Sequence, residues 1–182
     1  MPIIVAPGES AQLEVRIGAD YLYPGRIDKR ISISCSGSAD LVSIDIVGQV
    51  DPAVRFSPPA VDFGGRQAGD AAYADVTVVL DPRIEGRVDP MIAVTNPDLE
   101  VTRLGPEVYR KDEPAHQAGR VDGAPIRFVE RRFRISLVKS PHIGPLTGSL
   151  TLKPKPGETL MGREFVGCNA NVSGEITAGV GG

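Results

Sequence analysis

Apolar and polar residues alternate along much of this chain, and this period of two constrains the fold more than any other feature. Residues 11–17 carry leucine, valine and isoleucine at every second position, and the segments around Ile31, Ile44, Val76 and Ile135 repeat the pattern. Such alternation is typical of strands that bury one face. The 21 glycines and 16 prolines indicate many short strands joined by turns. The sequence therefore predicts an all-β fold.

Two segments that lie far apart in the chain match each other. Residues 25–34, GRIDKRISIS, align with residues 144–153, GPLTGSLTLK, because each begins with glycine and continues with apolar residues at the same spacing. In the strands predicted to follow, Gly48 aligns with Gly174. We interpret the match as one β-sandwich that is present first in part and then in full. The predicted division is a partial unit (residues 1–50), a complete unit (51–178) and a flexible tail (179–182).

The partial unit is predicted to contain roughly four strands in a meander. Such a unit would leave an apolar face uncovered, which is unfavourable in water. Upstream sequence, the second unit or a partner chain could cover this face. If a partner chain covers the face, a homodimer formed through the incomplete unit is one possible arrangement.

Charge and hydropathy restrict the partners. The formal net charge of −3 gives no field that would gather nucleic acid, so we expect no nucleic-acid partner. No apolar run approaches the roughly 20 residues that cross a bilayer, so we expect no membrane insertion. The first ten residues lack the pattern of a secretory signal. The compartment stays open, and a periplasmic or cell-surface location is favoured if an export signal has been removed.

Residues with catalytic potential are few and scattered. His116 and His142 are the only histidines, and no Gly-x-Ser-x-Gly elbow accompanies them. Cys35 and Cys168 lack the spacing of a zinc site; we expect two free thiols facing a core, although their pairing stays open. We therefore expect no metal, no cofactor and no enzymatic activity.

Residues 126–138 interleave arginine with phenylalanine. Alternation could bring several guanidinium groups to one face, where they would bind an acidic polymer or a carboxylate; the competing interpretation is a solvated strand face that discourages edge pairing. The apolar positions change parity near residues 130–132, which predicts either two strands that meet there or one long strand with a β-bulge. A polar loop over residues 109–125 precedes this segment. We expect a protein partner that binds by adding a strand to a sheet edge, and the candidate contact residues here are Tyr109, Arg127, Arg131, Arg132 and Arg134.

A carbohydrate-binding sandwich is the alternative function. Carbohydrate sites on sandwiches commonly use exposed aromatic platforms, and the chain has no tryptophan. Tyr21 and Tyr23 share one predicted loop and form the best candidate pair. Tyr73 and Tyr109 are the other tyrosines.

Three short segments resemble the bacterial ASH-like domains, relatives of the Hydin-type and major-sperm-protein immunoglobulin-like folds. These are VDFGGRQAGDAAYADVTVVL (residues 61–80), APGESAQLEVRI (6–17) and DIVGQV (45–50). The cysteine cluster and the Asn-Gly turn of many such domains are absent from the sequence. The resemblance implies an immunoglobulin-like β-sandwich with a scaffolding or interaction role, which we place in a larger bacterial envelope protein. It carries over no catalytic residue.

Overall fold

The computed structural model describes residues 6, 8–15, 23–34, 41–111, 127–138, 141–161, 164 and 166–179, without the side chains of Leu41, Lys111 and Arg127. These residues form eleven strands and one four-residue helix, which is far too short to cross a membrane. The strands are β1 (Gly25–Ser34), β2 (Leu41–Val50), β3 (Val54–Ser57), β4 (Ala60–Gln67), β5 (Tyr73–Leu80), β6 (Val88–Val94), β7 (Leu99–Arg103), β8 (Val108–Lys111), β9 (Arg127–Leu137), β10 (Gly144–Pro154) and β11 (Asn169–Thr177); the helix is α1 (Pro82–Glu85).

Nine of these strands form two sheets that pack together as a sandwich, so the predicted all-β architecture is confirmed. The first sheet has the order β3-β5-β9-β7, and β8 pairs with β9 beyond the end of β7. The second sheet has the order β4-β11-β10-β6. The entering strands β3 and β4 are divided between the sheets, since β3 runs antiparallel to β5 and β4 runs parallel to β11. The Ser57–Pro58 peptide between β3 and β4 is cis.

The core lies between the two sheets and is built by the alternation seen in the sequence. On β5, Val76, Val78 and Leu80 point inward. Facing strands contribute further aliphatic and aromatic side chains, each of which stabilises the fold by roughly 1.5–3 kcal/mol when fully buried. The largest fully buried side chains are Val54, Val76, Val78, Leu80, Ile84, Val88, Phe133, Ile135, Leu146, Leu150, Leu152 and Ile176.

Strands β1 and β2 form a separate two-stranded antiparallel sheet, a hairpin with the same register as the hairpin of β10 and β11. Ile27 lies opposite Gly48, as Leu146 lies opposite Gly174. The first residues also agree, because Gly25 and Gly144 both have positive φ, at 134° and 127°. The matched positions of the aligned segments are therefore matched in their pairing as well.

Three local predictions are wrong. The three prolines of residues 51–65 predict an extended linker that turns into an edge strand, but this segment already contains β3, whose Val54 and Phe56 are buried; one proline precedes β3 and two follow it, so none interrupts it. Residues 11–15 do not form the expected strand. The predicted bulge in β9 is absent, because β5 and β9 pair without a shift from Tyr73 to Leu80 and Phe128 points outward.

Candidate functional site

Strand β9 lies inside the first sheet, between β5 on one side and β7 and β8 on the other. Its backbone groups are already paired, so β9 cannot itself accept an added strand. Even-numbered side chains from Phe128 to Ser136 point outward, and odd-numbered ones from Val129 to Ile135 point into the core. Arg131, which the sequence analysis grouped with the surface arginines, is therefore buried. Arg132 and Arg134 remain on the outer face.

Arg134 is held on the outer face by two residues of β5. Its guanidinium donates to both carboxylate oxygens of Asp75, from Nε at 2.8 Å and from Nη2 at 3.0 Å. It also lies 4.1 Å from the ring centroid of Tyr73. The hydrogen bonds raise the pKa of Arg134 and lower the pKa of Asp75. Because the guanidinium covers one face of the Tyr73 ring, that face is not an open platform for a sugar.

Arg132 is the exposed arginine between Phe128 and Arg134 on β9. Its guanidinium makes neither a hydrogen bond nor an ion pair with any residue that the structure describes. A second arginine–aromatic pair lies on the same face, where Arg55 is 5.4 Å from the ring centroid of Phe128. We call this surface the arginine face. The guanidinium of Arg132 can donate two parallel hydrogen bonds from it to a carboxylate of a partner. The members of the arginine face are Arg55, Tyr73, Phe128, Arg132 and Arg134.

Arg131 lies on the inner side of β9, beside a break in the edge of the sheet. The amide of Leu104 still donates to the carbonyl of Arg132, but residues 105–107 leave β9 before β8 begins, which lets Glu107 reach Arg131. Arg131 donates from Nε to Oε1 of Glu107 at 2.6 Å and from Nη1 to the carbonyl oxygen of Asp89 at 2.8 Å. A longer bond of 3.4 Å reaches the carbonyl oxygen of Glu85. The guanidinium therefore ties together β9, β6, α1 and the break between β7 and β8.

Tyr109 lies on the solvent side of Arg131 and its hydrogen-bond partners. Its hydroxyl donates to Oε1 of Glu85 at 2.8 Å, while 59% of the residue stays exposed. Burial pushes the pKa of Glu107 upward, but the hydrogen bonds with Glu85 and Arg131 and the positive charges of Arg131 and Arg103 outweigh it, so this pKa is lowered. An open cleft of about 370 Å³ lies above the group. It is lined by Glu85, Gly86, Val88, Pro90, Glu107, Arg131 and Lys155.

The remaining predicted contact residues are not assembled into one site by the described part of the chain. Tyr23 is 74% exposed. Its proposed companion Tyr21, the side chain of Arg127 and residues 112–125 of the polar loop lie outside the described residues. The tyrosine pair for a sugar therefore stays a prediction.

The hairpin of β1 and β2 presents a second candidate surface, which we call the apolar hairpin face. Val42 and Ile44 on this face are 56% and 47% exposed. At the corresponding positions in β11 and just before it, Ala170 and Cys168 are 2% and 3% exposed because the first sheet covers them. The aliphatic residues of the apolar hairpin face are Ile27, Ile31, Ile33, Val42, Ile44 and Ile46, and Lys29 lies on the same face opposite Ile46.

Two other groups of chemical interest lie apart from these surfaces. The exposed ring of His142 contacts the carboxylate of Asp98 through Nδ1, at 2.7 and 2.9 Å. Among the described residues no serine hydroxyl is hydrogen-bonded to this ring, and no three metal-ligating side chains cluster.

Cys168 is a free thiol facing the core, as predicted. Its pKa is raised to about 11, first by burial and then by the charge of Glu164; Cys35 and His116 lie outside the described residues.

Comparisons with known proteins give no assignment: no protein-family model matches the chain, and no curated protein matches it.

Proposed function

We propose that this chain is a non-enzymatic, immunoglobulin-like module of the ASH-like kind that binds another polypeptide. The arrangement of strands supports the fold assignment. Immunoglobulin-like sandwiches divide their strands between one sheet of the ABED type and one of the CFG type. The order β3-β5-β9-β7 corresponds to the first, and the order β11-β10-β6 corresponds to the second. The entering strand is divided between the two sheets as β3 and β4.

The positions that carry the resemblance have structural reasons here. Phe63 is buried in the core, and Gly64 after it has φ 61° where β4 shifts against β11. Gly69 has φ 98° in the turn before β5, and Gly8 has φ 84° in a turn closed by a hydrogen bond from the amide of Glu9 to the carbonyl of Ala6. Positive φ favours glycine. The glycines of the resembling segments therefore stand where the backbone conformation favours glycine, and this supports the resemblance.

The apolar hairpin face is the observation that carries the binding function. Six aliphatic residues share one face of a two-stranded sheet, and a sheet of two strands needs a covering layer for stability in water. The opposite face of the hairpin is polar apart from Val47, with Nε of Arg30 2.6 Å from Oδ1 of Asp45. A polypeptide that buries the aliphatic side would complete the half-sandwich.

The test is a selection of displayed random peptides on the immobilised full chain, run beside a glycan array. We expect the selection to enrich peptides that also bind the chain in solution. Their binding should reduce the rate of amide hydrogen exchange in β1 and β2. Ile44→Lys should abolish their binding. Val47→Lys is the matched control, because Val47 lies on the same strand, faces the opposite side and is equally apolar.

Failure to enrich any peptide would overturn the proposal. So would peptides whose binding survives both Ile44→Lys and Arg132→Ser. Glycans that bind while no peptide does would point instead to the carbohydrate-binding alternative.

A further inference from the structure

Gly48 and Gly174 occupy the same position in the two hairpins, but their surroundings differ. Gly174 faces the strand β4, and a Cβ atom added there would lie 3.2 Å from Cβ of Phe63 and 3.2 Å from the carbonyl oxygen of Gly64. A side chain at residue 174 would therefore push against β4. The absence of a side chain lets β4 lie close beside β11, with Phe63 over the glycine.

The described residues offer no such reason for Gly48. A Cβ atom added there would meet no atom within 4 Å. Glycine within a strand weakens the strand and often marks a place where another backbone approaches closely. Among the described residues, β2 pairs with β1 on one side and with no strand on the other. The edge of β2 beside Gly48 is therefore unpaired among the described residues, whereas the corresponding edge of β11 pairs with β4.

The neighbours of the two glycines also correspond. Ile27 lies across from Gly48 on the apolar hairpin face, as Leu146 lies across from Gly174 in the core. In the second hairpin, β4 pairs with β11 and runs parallel to it, with Val61 beside Val172. The equivalent neighbour on β2 is Ile46, an aliphatic residue on the same face.

The size of the hairpin argues against a second copy that simply presses on the apolar face. The two strands pair over 10 residues, so the face is about 34 Å long and about 10 Å wide. Two such faces together would bury roughly 700 Å², well below the roughly 1,200 Å² at which stable interfaces begin. A strand that pairs along the edge adds main-chain hydrogen bonds, which give strand addition its affinity.

We propose that the edge of β2 accepts an extended strand from a second polypeptide, parallel to β2, with the pattern aliphatic-x-aromatic-glycine and the aromatic ring over Gly48. This inference rests on the proposed function and names the kind of partner. The added strand has the chemistry of residues 61–64, VDFG, because that sequence fills the corresponding place beside β11.

The probe is a fluorescent synthetic peptide with the sequence of residues 59–67, PAVDFGGRQ, titrated into the full-length chain. We expect saturable binding that is lost when the phenylalanine of the peptide is replaced by serine. Chemical-shift changes should centre on β2. A spin label at the amino end of the peptide should broaden the resonances of Asp45 more than those of Val50, as a parallel strand requires.

Gly48→Val should weaken binding at least tenfold, because the valine side chain fills the seat of the aromatic ring. Valine suits a strand, and the site has open space, so this variant keeps its fold. Gly65→Val is the matched control, since Gly65 is also a strand glycine with no atom near an added Cβ. It should leave the affinity unchanged.

Three outcomes would overturn the inference: no binding at about 1 mM peptide, the weak end of measurable affinity; equal binding to the Gly48→Val variant; or an antiparallel pattern of broadening. If the probe fails but selected peptides bind and lose their binding with Ile44→Lys or Arg132→Ser, only this inference falls. If the selection also yields no peptide, the proposed function falls with it.

Discussion

Replacing Arg131 by methionine should destabilise the sandwich by about 3–5 kcal/mol. Methionine keeps the apolar stem but removes three hydrogen bonds from a side chain that is only 4% exposed. The lost charged bond to Glu107 is worth about 1.5–3 kcal/mol, and each of the two carbonyl acceptors loses a bond worth about 1 kcal/mol. Removing one partner of a buried pair costs a similar total in other proteins. Glu107 keeps Arg103, whose Nη2 is 3.3 Å away, so the lower half of this range is expected.

Urea unfolding followed by far-ultraviolet circular dichroism measures this loss. The double variant Arg131→Met/Glu107→Leu should recover about 1–3 kcal/mol relative to the sum of the single losses, because it removes the uncompensated carboxylate together with its partner. The reasoning would be refuted by a loss under about 1 kcal/mol in the single variant, or by strictly additive effects in the double variant.

The same pair gives a pH dependence with a defined sign. The folded-state pKa of Glu107 is below its ordinary value of 4.5, so between the two values the unfolded chain binds more protons than the folded one. The stabilisation is present above about pH 4.5 and is lost as the pH falls through the folded pKa. Stability of Glu107→Gln should therefore fall less steeply on acidification than that of the unchanged protein, and parallel curves for the two would contradict the assignment.

Three further predictions follow from burial and backbone geometry. Gly167→Ala should cost about 1–3 kcal/mol more than Gly157→Ala in urea unfolding, which is the usual cost of overpacking. Both glycines have φ near 86°, but a Cβ at residue 167 would overlap the carbonyl oxygen of Val54, whereas one at residue 157 has open space; equal losses would count against this packing. Leu150→Ala should cost about 2–5 kcal/mol, whereas Ile31→Ala, at the matching place on the uncovered hairpin, should change the stability of the sandwich by under about 0.5 kcal/mol. In a Cys35→Ser background, Cys168 should react with a thiol reagent at pH 8 only after unfolding, because its pKa of about 11 leaves little thiolate; prompt labelling of the folded protein would show that the thiol is accessible.

The fold was more predictable than the site because the alternation reports burial directly. The alternation indicates the inward faces of β5 and β4, including Val61 and Phe63, which are buried. The prolines of residues 51–65 predict a linker because they lack amide donors, but β3 fits between Pro52 and Pro58 at the edge of its sheet, so the strand loses no donor.

Arg131 was misassigned by the same reliance on residue type. An unbroken alternation places residue 131 on the inner side with Phe133 and Ile135. The assumed bulge came from reading Phe128 as a core residue, and it concealed this placement. Nothing in the sequence indicates that Glu107 compensates the buried charge, because their contact depends on the break between β7 and β8.

The parallel pairing of β4 and β11 determines how the sandwich would respond to mechanical load. These neighbouring strands lie near the beginning and the end of the sandwich, and they run in the same direction from Ala60 beside Asn171 to Gln67 beside Thr177. Tension between the incoming and outgoing ends would slide one strand along the other. The cross-strand hydrogen bonds would then be strained together instead of opening one after another.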